Sequence, residues 1–336
     1  MAKGVGRDET SSRTKIAVVG LGAVGGVMAA SLAALTRYDV VVCVRSRVER
    51  LVVERPDDTI EVSIRALTDP ADAEPVDWVF LCTKAHQTAA VSPWLARLCG
   101  PQSRVAVLQN GINHADRLAS QVGMATIVPT IVYYNGERLA PDRMRLRRAR
   151  DYDLIVRDDP GGQAFTELLT GTPLSVLRAV EFDTFAWRKL LMNVVANPIT
   201  ALTLQRQAVF RRDDIKALCL AILEEAAAVG RADGALLAPD EAEQVFATLL
   251  TFPPEAGTSM LFDRLAGRPF EAEAITGAVV AAGERYRIPT PLNGMLLALL
   301  QAVSDASGAS SEGGQQTANA FTRGGPSAPP DKSTIA

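Results

Sequence analysis

The sequence predicts an α/β protein in which an N-terminal doubly wound parallel sheet is followed by an all-helical C-terminal domain. Three observations predict it. A glycine-rich turn joins an apolar strand run to a helical segment near residue 20. Short strand runs then alternate with helical segments as far as about residue 180. From residue 182 onward the patterns are helical, and no strand run of comparable strength appears.

The elements follow in order. Residues 1–14 are polar and without period, which predicts a flexible N-terminal arm. Lys15–Val19 reads as a strand, Gly25–Thr36 as a helix and Asp39–Val44 as a second strand. Trp78–Thr83 and Val105–Gln109 are further apolar runs bounded by polar residues. Ile127–Tyr133 and Asp153–Val156 predict strands at the far side of the sheet. The locally basic stretch Arg138–Arg150 alternates around Met144, Leu146 and Arg147 like an exposed, solvated strand. Residues 15–180 thus form one domain, with its boundary near Val180. Helical patterns at 182–203, 214–231, 239–250, 258–266, 271–286 and 291–303 place a second domain over residues 181–303. No internal repeat is visible. Residues 304–336 are rich in Ser, Gly and Pro and too poor in apolar residues to order themselves, so a disordered tail is expected.

Bulk properties narrow the function. The chain's 336 residues suffice for two domains with proper cores. Its net charge of -3 supplies no global basic field for nucleic acid. Cys43, Cys82, Cys99 and Cys219 are scattered without a CxxC pair, as reduced thiols are in a cytoplasmic protein. With His86 and His114 the only histidines, no Cys/His cluster exists and no metal site is expected. The uncharged run Ile16–Leu35 is long enough for a membrane span or a signal core. Strand, glycine turn and helix explain it better, and no membrane partner is expected.

Gly20-Leu21-Gly22-Ala23-Val24-Gly25 is a GxGxxG between a predicted strand and a predicted helix. Glycine there permits a tight turn, close approach of a pyrophosphate and contact of helix with strand, the phosphate lying at the helix N-terminus. The alternative is a glycine-rich packing turn. With a second strand following, a Rossmann-type dinucleotide site is the better reading. Where NAD-preferring proteins place Asp or Glu, this chain has Arg45, with Arg47 close behind. A guanidinium there suits a 2′-phosphate, so NADP(H) is expected rather than NAD, although a solvated arginine is the plainer alternative.

Lys189, Asn193 and Asn197 are spaced four apart within an otherwise apolar helical segment. At about 100° per residue they share one face. A cation and two amides on a largely buried helix need partners, and together they can hold and protonate a carbonyl compound. Lys84 and Asn110-Gly111 follow predicted parallel strands, where such sheets bind ligands. Their plainer alternatives are a surface lysine and a turn. Ser259 opens a helical run and could be its N-cap or a substrate contact. Glu271 begins the next helix, where its charge would favour the helix dipole in any case.

In combination these residues resemble the ketopantoate reductase (2-dehydropantoate 2-reductase) family between Lys15 and Val303. The likeness rests on the glycine turn, TKAHQ at 83–87, QNG at 109–111, WRKLLMN with ANPITA, and SMLFD with RPFEAEAITG. The resemblance implies that Lys189 is the general acid and that Glu271 engages the hydroxyl side of the substrate. It further implies substrate contacts at Asn110, Asn193, Asn197 and Ser259, a cleft lysine at Lys84 near nicotinamide and substrate, and a 2′-phosphate contact at Arg45. His86, Glu273 and Thr276 depart from residues frequent in the family, which bears on substrate choice and not on reaction type.

The expectation is an NADPH-dependent reductase of a small 2-keto acid, ketopantoate foremost, working as a monomer or homodimer. A related dehydrogenase acting on another 2-keto acid or an opine-like substrate is the first rival. An NADP-binding redox sensor without catalysis is the second, but it has no use for Lys189, Asn193 and Glu271 together.

Overall fold

The structure, a computed structural model, describes residues 13–148 and 151–321, with side chains as far as 306. β1 (Thr14–Val19) is buried over its last four residues and leads through the glycine turn into α1 (Ala23–Ala33). β2 (Tyr38–Cys43) lies parallel to β1. The uncharged run Ile16–Leu35 is therefore strand, turn and helix. Among the described residues no helix is long and apolar enough to cross a membrane.

Three short strands come next: β3 (Arg50–Glu54), β4 (Thr59–Ser63) and β5 (Arg65–Leu67). β6 (Val76–Leu81), α2 (Thr88–Leu98), β7 (Cys99–Val107), α3 (His114–Val122) and β8 (Thr126–Val132) continue the alternation. β9 (Asn135–Ala140) and β10 (Arg143–Arg147) form a hairpin; β11 (Leu154–Arg157), α4 (Pro160–Leu169) and β12 (Val176–Ala179) complete the strand-bearing half.

The main sheet runs β12-β11-β8-β7-β6-β1-β2-β5. From β5 to β8 every pairing is parallel, whereas β11 meets β8 antiparallel. From β1 the chain moves to β2 on one side and later to β6 on the other. The crevice beyond the carboxyl ends of β1 and β6 is thus the switch point where such sheets bind ligands.

A second sheet, β4-β3-β10-β9, covers α1. It corrects the expectation of a solvated basic strand. Met144 and Leu146 are fully buried in one core cluster with Leu51, Val53 and the α1 residues Val27, Met28 and Leu32. Only the opposite face carries the arginines, and Arg143 and Arg145 pair with Glu54 at 2.9 and 2.7 Å. Residues 149–150 of that stretch lie outside the described residues.

After Ala179 the described elements are helical: α5 (Phe182–Thr203), α6 (Asp213–Ala232), α7 (Glu241–Leu249), α8 (Ser259–Leu265), a π-helical turn (Glu273–Gly277), α9 (Ala278–Tyr286) and α10 (Pro291–Phe321). α5 is the axis of this half, in contact with α6, α7, α8 and α10. Its residues Val194 to Ala201 are all buried, Pro198 included. α10 continues past Ser304, where order was expected to end; no proline interrupts the chain between Pro291 and Pro326. The rest of the expected tail, 322–336, and arm residues 1–12 lie outside the described residues.

Candidate active site

The glycine turn is built by close approach. Gly20 has φ +95°, and a Cβ there would sit 2.6 Å from Thr83 Cγ2 and 2.8 Å from Thr83 N. A Cβ on Gly25 would fall 2.0 Å from Gly20 O and 2.9 Å from Cys82 Cβ. Both positions therefore exclude any side chain without backbone movement. Gly22, the N-cap of α1, is different: nothing lies within 4 Å of its missing Cβ. That opening is at the helix N-terminus, where a pyrophosphate can meet free N–H groups. Leu21 turns its side chain into the core and offers only backbone, while Ala23 and Val24 remain partly exposed. The cradle fits a dinucleotide. Arg45 and Arg47 stand exposed just beyond β2, whose last residue, Cys43, accepts a hydrogen bond from Gly20 N at 3.2 Å.

The loops after β6 and β7 face the helical half. Asn110 Nδ2 donates to Glu271 Oε2 at 3.0 Å, and Ala85 N donates to Glu271 Oε1 at 3.2 Å. Gly111, at φ +98°, presses so closely that a Cβ would lie 2.4 Å from Ala274 O in the π-helical turn. Behind them Gln109 Nε2 donates to Thr88 Oγ1 at 3.0 Å and Thr83 Oγ1 at 3.3 Å, which fixes the two loops to each other. Lys84 forms an ion pair with Asp263 on α8, and Asp263, 3% exposed, also accepts from Arg268 Nε at 3.0 Å.

From the opposite side α5 presents Lys189 and Asn193 to a small cleft, which Asn110, Gly111 and His114 also line. Lys189 Nζ donates to Val132 O at 2.7 Å and lies 5.9 Å from the Tyr133 ring centroid. Burial pushes its pKa down to about 8, and the charge of Glu271 opposes that fall. An isolated lysine titrates at about 10.4, so the ammonium is tuned to neutral pH and is not merely charged by default.

The predicted site residues therefore divide. Lys189, Asn193 and Asn110 meet at one cleft, and Glu271 holds Asn110. Asn197, on the same stripe, is only 3% exposed one turn further on. Ser259 is exposed at the start of α8, but it is not the N-cap. That role falls to Thr258, whose Oγ1 accepts from Leu261 N at 3.1 Å and shares a 2.7 Å hydrogen bond with Thr200 Oγ1.

Three polar groups here escaped the sequence reading. His114 is buried in the cleft wall, Arg117 buries Nε and Nη2 without partners, and Asp263 holds Lys84. His114 follows Asn110 by four residues and opens the helix after a strand end, a position that could have drawn attention. Nothing local marks Asp263.

Comparison with known proteins places the chain among relatives. The family model described as "Ketopantoate reductase PanE/ApbA" matches residues 16–155, and its C-terminal counterpart matches residues 181–304. The chain is 39% identical over 291 residues to a 2-dehydropantoate 2-reductase of Caulobacter vibrioides, covering 87% of this chain and 99% of that one. It is 37% identical over 297 residues to a 2-dehydropantoate 2-reductase of Mycobacterium tuberculosis, covering 88% and 99%. A solved structure of a PanE/ApbA family ketopantoate reductase from Ralstonia eutropha JMP134 superposes with TM-score 0.78 at 25% identity, covering 88% and 99%.

Proposed function

Because this chain belongs to the ketopantoate reductase family, we propose that it reduces a 2-keto acid, 2-dehydropantoate (ketopantoate), to pantoate with NADP(H), the reductive step of pantothenate biosynthesis. Residues 15–180 hold the cofactor in this reading, and residues 181–303 bring the catalytic groups to it. The backbone from Gly20 to Gly25 receives the pyrophosphate. Arg45 takes the 2′-phosphate, in a segment, Val44-Arg45-Ser46-Arg47, with no carboxylate to repel it.

When bound, the reduced nicotinamide supplies a hydride to the keto carbon, so negative charge develops on the carbonyl oxygen. Lys189 answers that charge. One of its three N–H groups is held by Val132 O, which aims the ammonium and leaves two for the substrate. It stabilises the oxygen as charge grows and then gives it a proton, leaving a neutral amine that solvent recharges. Asn193 and Asn110 hold the substrate from opposite walls. Glu271, fixed by Ala85 and Asn110, borders it on the hydroxyl side, with Ser259 at the outer end. Asn197 is retained as a substrate contact on the resemblance alone. Lys84 keeps its ion pair with Asp263 and turns its remaining donors toward the cofactor.

The observation that carries this reading is the placement of Lys189. A partly buried ammonium from the helical half stands beside loops at the carboxyl ends of the parallel strands. NADPH consumption tests it, with 2-dehydropantoate compared against pyruvate and 2-ketoisovalerate, and NADH run alongside. The expected result is a preference for 2-dehydropantoate of at least about tenfold in kcat/KM, with NADPH favoured over NADH. Equal rates on all three acids would overturn the substrate assignment, and no consumption with any would overturn the reading itself.

A further inference from the structure

Val132 closes β8 and Asn135 opens β9, so the connector between them is Tyr133-Tyr134. One end of it meets the amine from the helical half. Val132 O accepts from Lys189 Nζ at 2.7 Å, and the Tyr133 ring centroid lies 5.9 Å from the same nitrogen. The other end meets the glycine turn. Tyr134 is 5% exposed and donates from its phenol to Val24 O at 3.0 Å. A Cβ on Gly136, the next residue but one, would lie 3.1 Å from Ala23 Cβ and from Ala23 O. Ala23 and Val24 are the first two residues of α1, at whose N-terminus the pyrophosphate is expected.

The connector is held at both ends. Tyr133 N donates to Asp153 O at 2.8 Å, and Tyr134 belongs to the core cluster that also contains Leu21, Val27 and Met28. A buried phenol needs an acceptor, but many backbone carbonyls would serve. Tyr38 satisfies its own with Leu168 O at 2.6 Å, at the amino end of β2. Tyr134 reaches instead the first turn of the helix that faces the cofactor, from a segment whose backbone holds Lys189.

Resting on the reductase reading, we propose that Tyr134 is a positioning residue: its phenol locks the β8–β9 connector to the first turn of α1 and so sets the Lys189 ammonium at a fixed place relative to the bound dinucleotide. The amine comes from one half of the molecule and the dinucleotide rests on the other, so their mutual placement depends on such a tie. A displacement of about 1 Å between a catalytic group and its reactant can cost about a hundredfold in rate.

The test is a double-mutant cycle of Tyr134→Phe and Lys189→Ala, read as the single-turnover rate of NADPH oxidation by 2-dehydropantoate and as the NADPH dissociation constant from a fluorescence titration. Phenylalanine keeps the ring in the core and removes only the hydroxyl. With Lys189 present, Tyr134→Phe should slow the step about tenfold or more; in Lys189→Ala it should change the rate by less than about twofold. The dissociation constant should rise about threefold or more in both backgrounds, because the tie to α1 does not pass through Lys189. Equal slowing in both backgrounds overturns the proposal, as does an unchanged rate or an unchanged dissociation constant in Tyr134→Phe. Tyr38→Phe removes a phenol–carbonyl bond of the same kind and should leave both readouts near wild type; if it reproduces Tyr134→Phe, general loosening explains the effect and the proposal falls. Gly136→Ala presses the connector off Ala23 and should give the same split, which keeps the test open if Tyr134→Phe does not fold. Wild type that binds NADPH but reduces no 2-keto acid sinks the reductase reading and the proposal with it, whereas normal turnover with Tyr134→Phe unaffected sinks the proposal alone.

Discussion

Lys189 is the residue on which pH acts most directly. Its ammonium is the form that can donate a proton, and burial lowers its pKa to about 8. The required form is therefore abundant at pH 7 and is lost as pH rises through about 8, well before an unperturbed lysine at about 10.4 would titrate. kcat/KM should fall along that limb. Glu271→Gln removes the one charge that favours the ammonium, so the limb should move to lower pH. A limb that stays in place or moves up would show that another group controls it. At this scale the sequence disclosed Lys189 and Asn193, because four-residue spacing on an apolar helix is a local signal. It did not disclose the depressed pKa, since desolvation is conferred by residues distant in sequence. Nor did it disclose Asp263, which holds Lys84 from 179 positions away.

At the scale of elements, the strand–turn–helix at the start of the chain depends on Gly25 as much as on the more exposed Gly22. A methyl group on Gly25 would collide with backbone at Gly20 O, which cannot rotate aside as a side chain can. Gly25→Ala should cost about 1–3 kcal/mol by overpacking and should weaken NADPH binding together with stability. Thermal melting and a cofactor titration check both; an unchanged melting temperature with unchanged affinity would contradict the packing account. Most of the parallel strands and most helices were legible because their apolar runs or helical periods are long. β3, β4 and β5 were not: each has five residues or fewer, and Arg50, Glu54, Glu61 and Arg65 dilute the pattern. β10 was legible as a strand but not as a buried one, because its burial depends on α1 from the other end of the domain. The reading of 182–203 as one helix, through Pro198, agrees with α5, where packing on four helices offsets the lost backbone hydrogen bond.

Across the whole molecule, the two halves meet through an apolar cluster of Ile131, Ile155, Ala179 and Phe182, an Arg157–Asp183 ion pair at 2.6 Å, and polar ties around one cleft. Glu271 holds Ala85 and Asn110, Asp263 holds Lys84, and Val132 O holds Lys189. Each joins the carboxyl-terminal side of the sheet to a helix of the second half, so the groups proposed for cofactor and substrate face one another only when both halves are in place. The sequence carried this arrangement through topology: glycine turn, strand-end loops and polar stripe each point to the same crevice when the sheet is doubly wound. Contacts across the cleft depend on how the halves dock, which no local pattern encodes. The central claim is that an ammonium from the helical half protonates the substrate at the sheet's edge. Steady-state kcat of wild type and Lys189→Ala, with saturating NADPH and 2-dehydropantoate, tests it most directly. The account predicts a loss of at least about a hundredfold with the cofactor dissociation constant little changed, and a variant turning over near the wild-type rate would contradict it.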